Sequence, residues 1–264
     1  MNVTDIFRDL EKIRTASPLV HNITNFVVMN NTANALLAIG ASPVMAHAPE
    51  EVEEMVAIAS SLVINIGTLS REWIGAMKMA MQAADQKGIP IIFDPVGSGA
   101  TSYRTKTCRE LLGIARPSVI RGNASEIMSL VDAAIQTKGV DSNITANLAE
   151  QAAIDLAKHY GCVVVVSGQE DLITDGQQKI FVENGHVMMT KVTGLGCTAT
   201  ALIGAFAAVN RDNLSAAAHA MAVMGICGEI AAGQARGPAS LQLNLIDTFY
   251  NIDSNTLADY LKGH

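Results

Sequence analysis

Met189-Thr190-Lys191-Val192-Thr193-Gly194-Leu195-Gly196-Cys197-Thr198-Ala199-Thr200 is the stretch on which the reading of this chain turns. Its lead-in, Val187 to Thr190, reads as a short strand, and a long apolar helix is expected from Cys197 or just before it. Two glycines flanking one residue permit backbone angles that a side chain forbids. A helix start carries up to four N–H groups without intrahelical partners, and a partial positive charge. N–H groups at the turn and the helix start can therefore converge on one small volume suited to an anion. Cys197 stands at its rim. The same residues also describe an ordinary strand–turn–helix corner with a buried thiol, and the rest of the chain has to decide between the two.

The 264 residues are 49% hydrophobic and 16% charged, ample for one large core, and a single domain over 1–264 is expected. A formal charge of -7 argues against a nucleic-acid or acidic-membrane surface. Cys108, Cys162, Cys197 and Cys227 are widely spaced, with no C-x-x-C and no His pair at metal-ligand spacing. Neither a zinc site nor a disulfide framework is expected, and a reducing cytoplasm is the natural setting. Residues 1–10 lack the layout of a signal peptide, and the longest apolar run, Ala199 to Val209, is too short to span a bilayer.

Outward from the glycine turn, apolar strands alternate with helical segments. Strands are expected at 18–23, 42–46, 61–67, 89–94, 118–121 and 162–166. Helices are expected at 4–16, 26–39, from Pro49, at 71–86, 103–115 and near 145–159, with a polar connection at 134–144 and a turn at Gly122-Asn123. This alternation is the signature of an α/β fold whose mostly parallel central sheet carries helices on both faces. After the valine strand the pattern changes. Leu172 to Thr174, Lys179 to Val182 and Val187 to Thr190 are separated by Asp175-Gly176 and Asn184-Gly185, dipeptides that favour hairpin turns. An antiparallel edge is the expected result, followed by helices at 197–209 and about 214–234 and a helical tail.

In open parallel sheets ligands sit beyond the carboxyl ends of the strands. Those ends carry Asn22/Asn25, Met45, Asn65/Gly67, Asp94, Arg121/Asn123, Ser167/Gly168 and the Gly194–Cys197 turn. Such a polar, glycine-rich set suits a nucleotide phosphate. Asp94 and Glu126 supply two carboxylates, and Mg²⁺ takes oxygen ligands alongside phosphates and water. Glu126 also fits a capping box with Asn123, and Asp94 a turn-forming Asp-Pro. Arg121 can bridge two phosphate oxygens in a planar fork, or form a surface ion pair. Ser167 can donate to a phosphate or simply close its strand. Val27, Pro43 and Met45 suit a small apolar ligand with one polar handle, or plain core. His21 and His47 read more simply as structural hydrogen-bonding groups than as bases.

Six segments, in order and across nearly the whole chain, resemble the hydroxyethylthiazole kinase family of the ribokinase-like superfamily. They are Asn22-Ile23-Thr24-Asn25, Gly40-Ala41-Ser42-Pro43-Val44-Met45, Asn65-Ile66-Gly67-Thr68, Phe93-Asp94-Pro95-Val96, Arg121-Gly122-Asn123-Ala124-Ser125-Glu126 and Val192-Thr193-Gly194-Leu195-Gly196-Cys197. The R-G-N-A-S-E and A-S-P-x-M segments are the most specific. The resemblance implies ATP-dependent phosphorylation of 4-methyl-5-(2-hydroxyethyl)thiazole, a salvage step of thiamine biosynthesis, on a ribokinase-like fold without a lid domain. It assigns thiazole contacts to Met45, Gly194, Asn25, Val27, Pro43 and Gly67, and nucleotide contacts to Arg121, Ser167, Asn123 and Gly196. Mg²⁺ falls to Glu126 and Asp94, and a homotrimer with active sites between subunits is implied. Ribokinase-like enzymes generally place an aspartate base where Cys197 stands, while the thiazole branch is known for a cysteine there. A thiol at a helix start is expected to have its thiolate favoured. Kinases of another heterocyclic alcohol (hydroxymethylpyrimidine or pyridoxal), a nicotinamide-cofactor-hydrate dehydratase and a non-catalytic nucleotide sensor are the competing readings.

Overall fold

Alternation of side chains along each strand sets the architecture. Leu62 and Ile64 face one side of the sheet and Val63 the other. Ile91 and Phe93 oppose Ile92 in the same way, as Val164 and Val166 oppose Val163 and Val165. Both faces are therefore apolar, and both need a helical cover.

The computed structural model describes residues 1–131 and 142–262. Its strands are β1 (Leu19–Ile23), β2 (Ser42–Val44), β3 (Ser61–Asn65), β4 (Ile91–Asp94), β5 (Val119–Asn123), β6 (Val163–Ser167), β7 (Asp171–Thr174) and β8 (Lys179–Val182). They form an 8-stranded sheet in the order β2-β1-β3-β4-β5-β6-β7-β8. Pairing is parallel from β2 through β6 and antiparallel from β6 to β8.

The helices are α1 (Val3–Ala16), α2 (Met29–Ala38), α3 (Val52–Ile58), α4 (Arg71–Lys87), α5 (Ser102–Leu112), α6 (Ala124–Val131), α7 (Ser142–Tyr160), α8 (Leu195–Val209), α9 (Asn213–Gln234), α10 (Pro238–Asn251) and α11 (Ser254–Tyr260). One face of the sheet is covered by α3 to α7, the other by α1, α2 and α8 to α11. The helix α9 is long and apolar enough to cross a membrane by composition, yet 83% of that window is buried in this core. Its small residues serve close packing. At Gly228 an added Cβ would collide with Met189, and at Gly225 with Asn184.

Several boundaries differ from the sequence reading. Val187–Lys191 is a 3-10 helix, not a strand. The Met189 N–H donates to His186 O at 2.9 Å and Thr190 Oγ1 to Val187 O at 2.8 Å, and Met189 turns inward against α9. Met188 and Met189 thus pack against the core rather than joining a strand ladder, while Val187 is left exposed. Asp175-Gly176 does turn β7 into β8, but Asn184-Gly185 makes no hairpin. Buried Asn184 instead donates to Tyr260 O at 2.8 Å, and Gly185 N–H donates to Glu229 Oε1 at 2.8 Å.

Residues 26–28 form a turn, and α2 starts only at Met29, because Asn25 Oδ1 accepts from Val27 N–H at 3.2 Å and bends the chain. The helix expected from Pro49 starts at Val52. Gly122 and Asn123 complete β5 rather than turning, since both pair with β6, and α6 follows at once. The polar connection at 134–144 lies largely outside the described residues.

Candidate active site

Strand order reverses beside β1. Its crossover through α2 leads outward to β2, whereas β3 to β6 follow one another on the other side. A crevice opens at such a switch point, beyond the carboxyl ends of the strands. There β3, β4, β5 and β6 end on Asn65, Asp94, Asn123 and Ser167, and Asn25 lies just past β1. Opposite them begins α8.

Its N-cap is Gly194, at φ 81° and ψ -1°. An L side chain is strained there, and a Cβ would also strike Val28. The helix ladder opens with Thr198 N–H donating to Gly194 O at 2.9 Å. The N–H groups of Leu195, Gly196 and Cys197 precede that bond and have no helical acceptor. The guanidinium of Arg121 lies against Gly196, where a Cβ would come within 2.6 Å of Nη1. Its Nη2 donates to Ser167 Oγ at 2.6 Å. Helix-start amides, a guanidinium and a hydroxyl thus converge in the anion cradle read from the glycine turn.

A second set of bonds runs through the strand ends. Asn25 Nδ2 donates to Cys197 Sγ at 3.5 Å and to Asn65 Oδ1 at 2.9 Å. Asn65 Oδ1 also accepts from Gly67 N–H at 2.9 Å, and Asn65 Nδ2 donates to Asp94 Oδ2 at 2.8 Å. Thr200 Oγ1 donates to the same oxygen at 2.8 Å. Gly67 is needed for this closeness, because a Cβ there would come within 2.6 Å of Asn25 Nδ2.

Burial governs the titration of the site. The thiol of Cys197 is pushed up to about 11, by desolvation first and then by the neighbouring Asp94 charge, against the bonds from Asn65 and Asn25. The thiolate expected from the helix dipole is overruled, and Cys197 stays a neutral thiol at pH 7. Asp94 is raised to about 6, again by desolvation first, with Arg121 and Thr200 pulling it down. It is ionised at pH 7 at a cost.

The carboxylates fit a hard divalent cation. Asp94 Oδ1 is buried and has no hydrogen-bond partner, the condition of an oxygen awaiting a ligand. Glu126 is 9% exposed and near enough to raise the Asp94 pKa. It also forms the capping box, its two oxygens accepting from Gly97 N–H and Asn123 N–H, both at 2.8 Å. Each of those oxygens retains a lone pair. Among the described residues no group of three or more His, Cys, Asp or Glu could hold a metal alone. Mg²⁺ completed by phosphates and water is the chemistry this donor set suits.

Beside Ser167 a cleft of about 880 Å³ opens between Ala124, Ala149, Val166, Gly168, Leu172 and Phe181, among others. The structure brings together Asn25, Gly67, Asp94, Arg121, Ser167, Gly194, Gly196 and Cys197. Asn123 ends β5 with its side chain occupied in capping, accepting from Glu126 N–H at 2.9 Å. Pro43 lies within the edge strand β2 and Met45 just past it, and Val27 is 65% exposed; no hydrogen bond ties these three to Cys197. Next to them, Trp73 is flanked by Phe26 and His47, with ring centroids 4.8 and 4.6 Å away.

Sequence reading passed over three contributors: Asn65 as the hub, Thr200, and Arg104. Arg104 donates to Ile66 O, Val96 O and Gly67 O at 2.7, 2.9 and 2.9 Å, tying the turns after β3 and β4 together. Thr200 had a usable signal, a polar residue one turn past Gly196 on a helix otherwise almost wholly apolar. Arg104 had none, because it reads as an ordinary exposed helix charge.

A model of the hydroxyethylthiazole kinase family matches residues 10–255. A hydroxyethylthiazole kinase of Oleidesulfovibrio alaskensis is 56% identical over 245 residues, covering 93% of this chain and 92% of its own. The structure of the hydroxyethylthiazole kinase protein of Pyrococcus horikoshii OT3 superposes with a TM-score of 0.90 at 42% identity, covering 98% of each chain. A ribokinase-like superfamily protein of Enterococcus faecalis V583 shares the fold at a TM-score of 0.65 and 15% identity, covering 93% of this chain and 88% of its own. The order and spacing of the site segments and the match along nearly the full chain agree: this chain belongs to the hydroxyethylthiazole kinase family.

Proposed function

We propose that the protein transfers the γ-phosphoryl group of ATP to the hydroxyl of 4-methyl-5-(2-hydroxyethyl)thiazole, a salvage step of thiamine biosynthesis. The observation that carries this reading is the set of helix-start N–H groups at Leu195–Cys197, facing the crevice beside Arg121. Phosphoryl transfer has a loose transition state, and positioning with charge stabilisation supplies most of the acceleration. The Gly196 and Cys197 amides hold the transferred group, while Arg121 and Ser167 take the remaining phosphate oxygens. The nucleoside lies in the cleft beyond Ser167 and Gly168. Asn25, Gly67, Gly194 and Cys197 position the alcohol, with Val27, Pro43 and Met45 enclosing the ring. Asp94 and Glu126 would hold Mg²⁺, which there neutralises charge on the phosphate oxygens.

One domain over 1–264 carries the whole site in this reading, and the setting is cytoplasmic. A homotrimer with active sites between subunits is supported by Phe26 and Val27, each 65% exposed immediately after Asn25. These apolar side chains, bare in one subunit, would be covered by a neighbour.

The test is ADP release from protein, ATP and Mg²⁺ with a panel of alcohols. The thiazole alcohol is expected to give the highest kcat/KM. A preference for hydroxymethylpyrimidine or pyridoxal contradicts the substrate, and no ADP from any alcohol contradicts the kinase.

Because the Cys197 thiol is neutral, it positions the hydroxyl rather than accepting its proton. A general base contributes roughly 10²–10⁴-fold, so Cys197→Ser and Cys197→Ala should lose well under that. Cys197→Asp, which places a competent base at the same spot, should be tolerated or faster. Complete loss of turnover in the Asp variant, with nucleotide binding intact, would refute the positioning role.

A further inference from the structure

The Asp94 carboxylate is not free to choose the oxygen it presents. A backbone N–H can only donate, so the Gly67 contact at 2.9 Å fixes which end of the Asn65 amide is the oxygen. Val27 N–H fixes Asn25 in the same way, and Asn25 Nδ2 then donates to that Asn65 oxygen at 2.9 Å. Nδ2 of Asn65 is left facing Asp94 Oδ2 at 2.8 Å.

Thr200 brings a second donor to that oxygen. Its hydroxyl has one proton and two oxygens in reach, Asp94 Oδ2 at 2.8 Å and Gly196 O at 3.2 Å. A carboxylate is the stronger acceptor and here the nearer one. Asp94 Oδ2 is therefore saturated, while Oδ1, equally buried, has no partner. The asymmetry is built by α8 and β3 together.

We propose that Thr200 and Asn65 are positioning residues: they saturate one oxygen of Asp94 so that the other is held ready for the divalent cation of the nucleotide complex. This rests on the reading of Asp94 as a metal ligand. It also makes the first turns of α8 serve two ends of the reaction. Their amides hold the transferred phosphoryl group, and Thr200, one turn further on, sets the carboxylate.

The experiment measures Mn²⁺ binding directly, by electron paramagnetic resonance with a non-hydrolysable ATP analogue, with the thermal unfolding midpoint recorded for each protein. Thr200→Val keeps the shape and removes the donor, Thr200→Ser restores it, and Asn65→Ala removes the other donor. Removing such outer partners weakens metal binding about 10- to 100-fold in general. Thr200→Val and Asn65→Ala should show a loss of at least about tenfold, with Thr200→Ser within about threefold of the parent. An unchanged Mn²⁺ affinity in Thr200→Val, together with its loss in Asp94→Asn, would overturn the positioning role alone. An unchanged affinity in Asp94→Asn would overturn the metal-ligand reading, and this inference with it.

Discussion

Asp94→Asn is expected to make the ligand-free protein more stable at pH 7 while removing nearly all of its kinase activity. The carboxylate pKa, ordinarily 3.8, is raised to about 6 by burial, against the pull of Arg121 and Thr200. A group raised in the folded state contributes most stability below its unfolded value and loses it as pH rises through the folded one. Above about 6 the ionised Asp94 is therefore a net cost, on the order of 3 kcal/mol from this difference. Asparagine keeps an oxygen for the Thr200 and Asn65 donors and removes the charge. Calorimetry at pH 7 should show a midpoint several degrees higher, since about 1 kcal/mol moves a chain of this size by about 2–4 °C. The gain should shrink as pH falls through 6 toward 3.8. Catalysis should drop by roughly 10²–10³-fold, the usual cost of removing one preorganised electrostatic contact. A lower midpoint at pH 7, or activity near the parent's, would contradict this role for Asp94.

Arg121→Ala should act on the nucleotide rather than the alcohol. The guanidinium bears on Gly196 on one side and donates to Ser167 Oγ at 2.6 Å on the other. A hydrogen bond to a charged group is worth about 1.5–3 kcal/mol, so the KM for ATP should rise roughly 10- to 100-fold. The KM for the thiazole alcohol should barely move, because the contacts proposed for it lie on the Asn25 and Cys197 side of the crevice. Arg121→Lys should recover only part of the loss, since an ammonium cannot reproduce the planar fork. Steady-state kinetics with each substrate varied in turn decides it. An unchanged ATP dependence counts against the assignment.

The sheet was legible because its signal is local. Runs such as Val163–Val166 and Ile91–Phe93, apolar on both faces, belong to strands covered from both sides, and the helices between them have room for little else. The strand ends were legible for the same reason, and they carry Asp94, Ser167 and Asn65. What escaped was decided by tertiary partners. Asn184-Gly185 and Asp175-Gly176 look alike as dipeptides, yet only the second makes a hairpin, because Asn184 is spent on Tyr260 O and Lys262 N–H. Val187–Lys191 is apolar enough for a strand but turns as a 3-10 helix that sets Met189 against Gly228 of α9. The charge state of Cys197 escaped as well. A helix start favours a thiolate, but burial and the nearby Asp94 outweigh it, and neither is visible before the chain is folded. The hub role of Asn65 needed, besides the local Gly67 N–H, two neighbours from distant parts of the sequence: Asn25 and Asp94.

The central claim is that the main-chain amides of Gly196 and Cys197 grip the phosphoryl group in flight. Its most direct test is a structure with ADP, Mg²⁺, the thiazole alcohol and a planar or tetrahedral metal-fluoride mimic of that group. The mimic is expected within hydrogen-bond distance of both amides and of Arg121, with the alcohol oxygen beside Cys197. A mimic lodged away from the start of α8, with the nucleotide fully bound, would contradict the account.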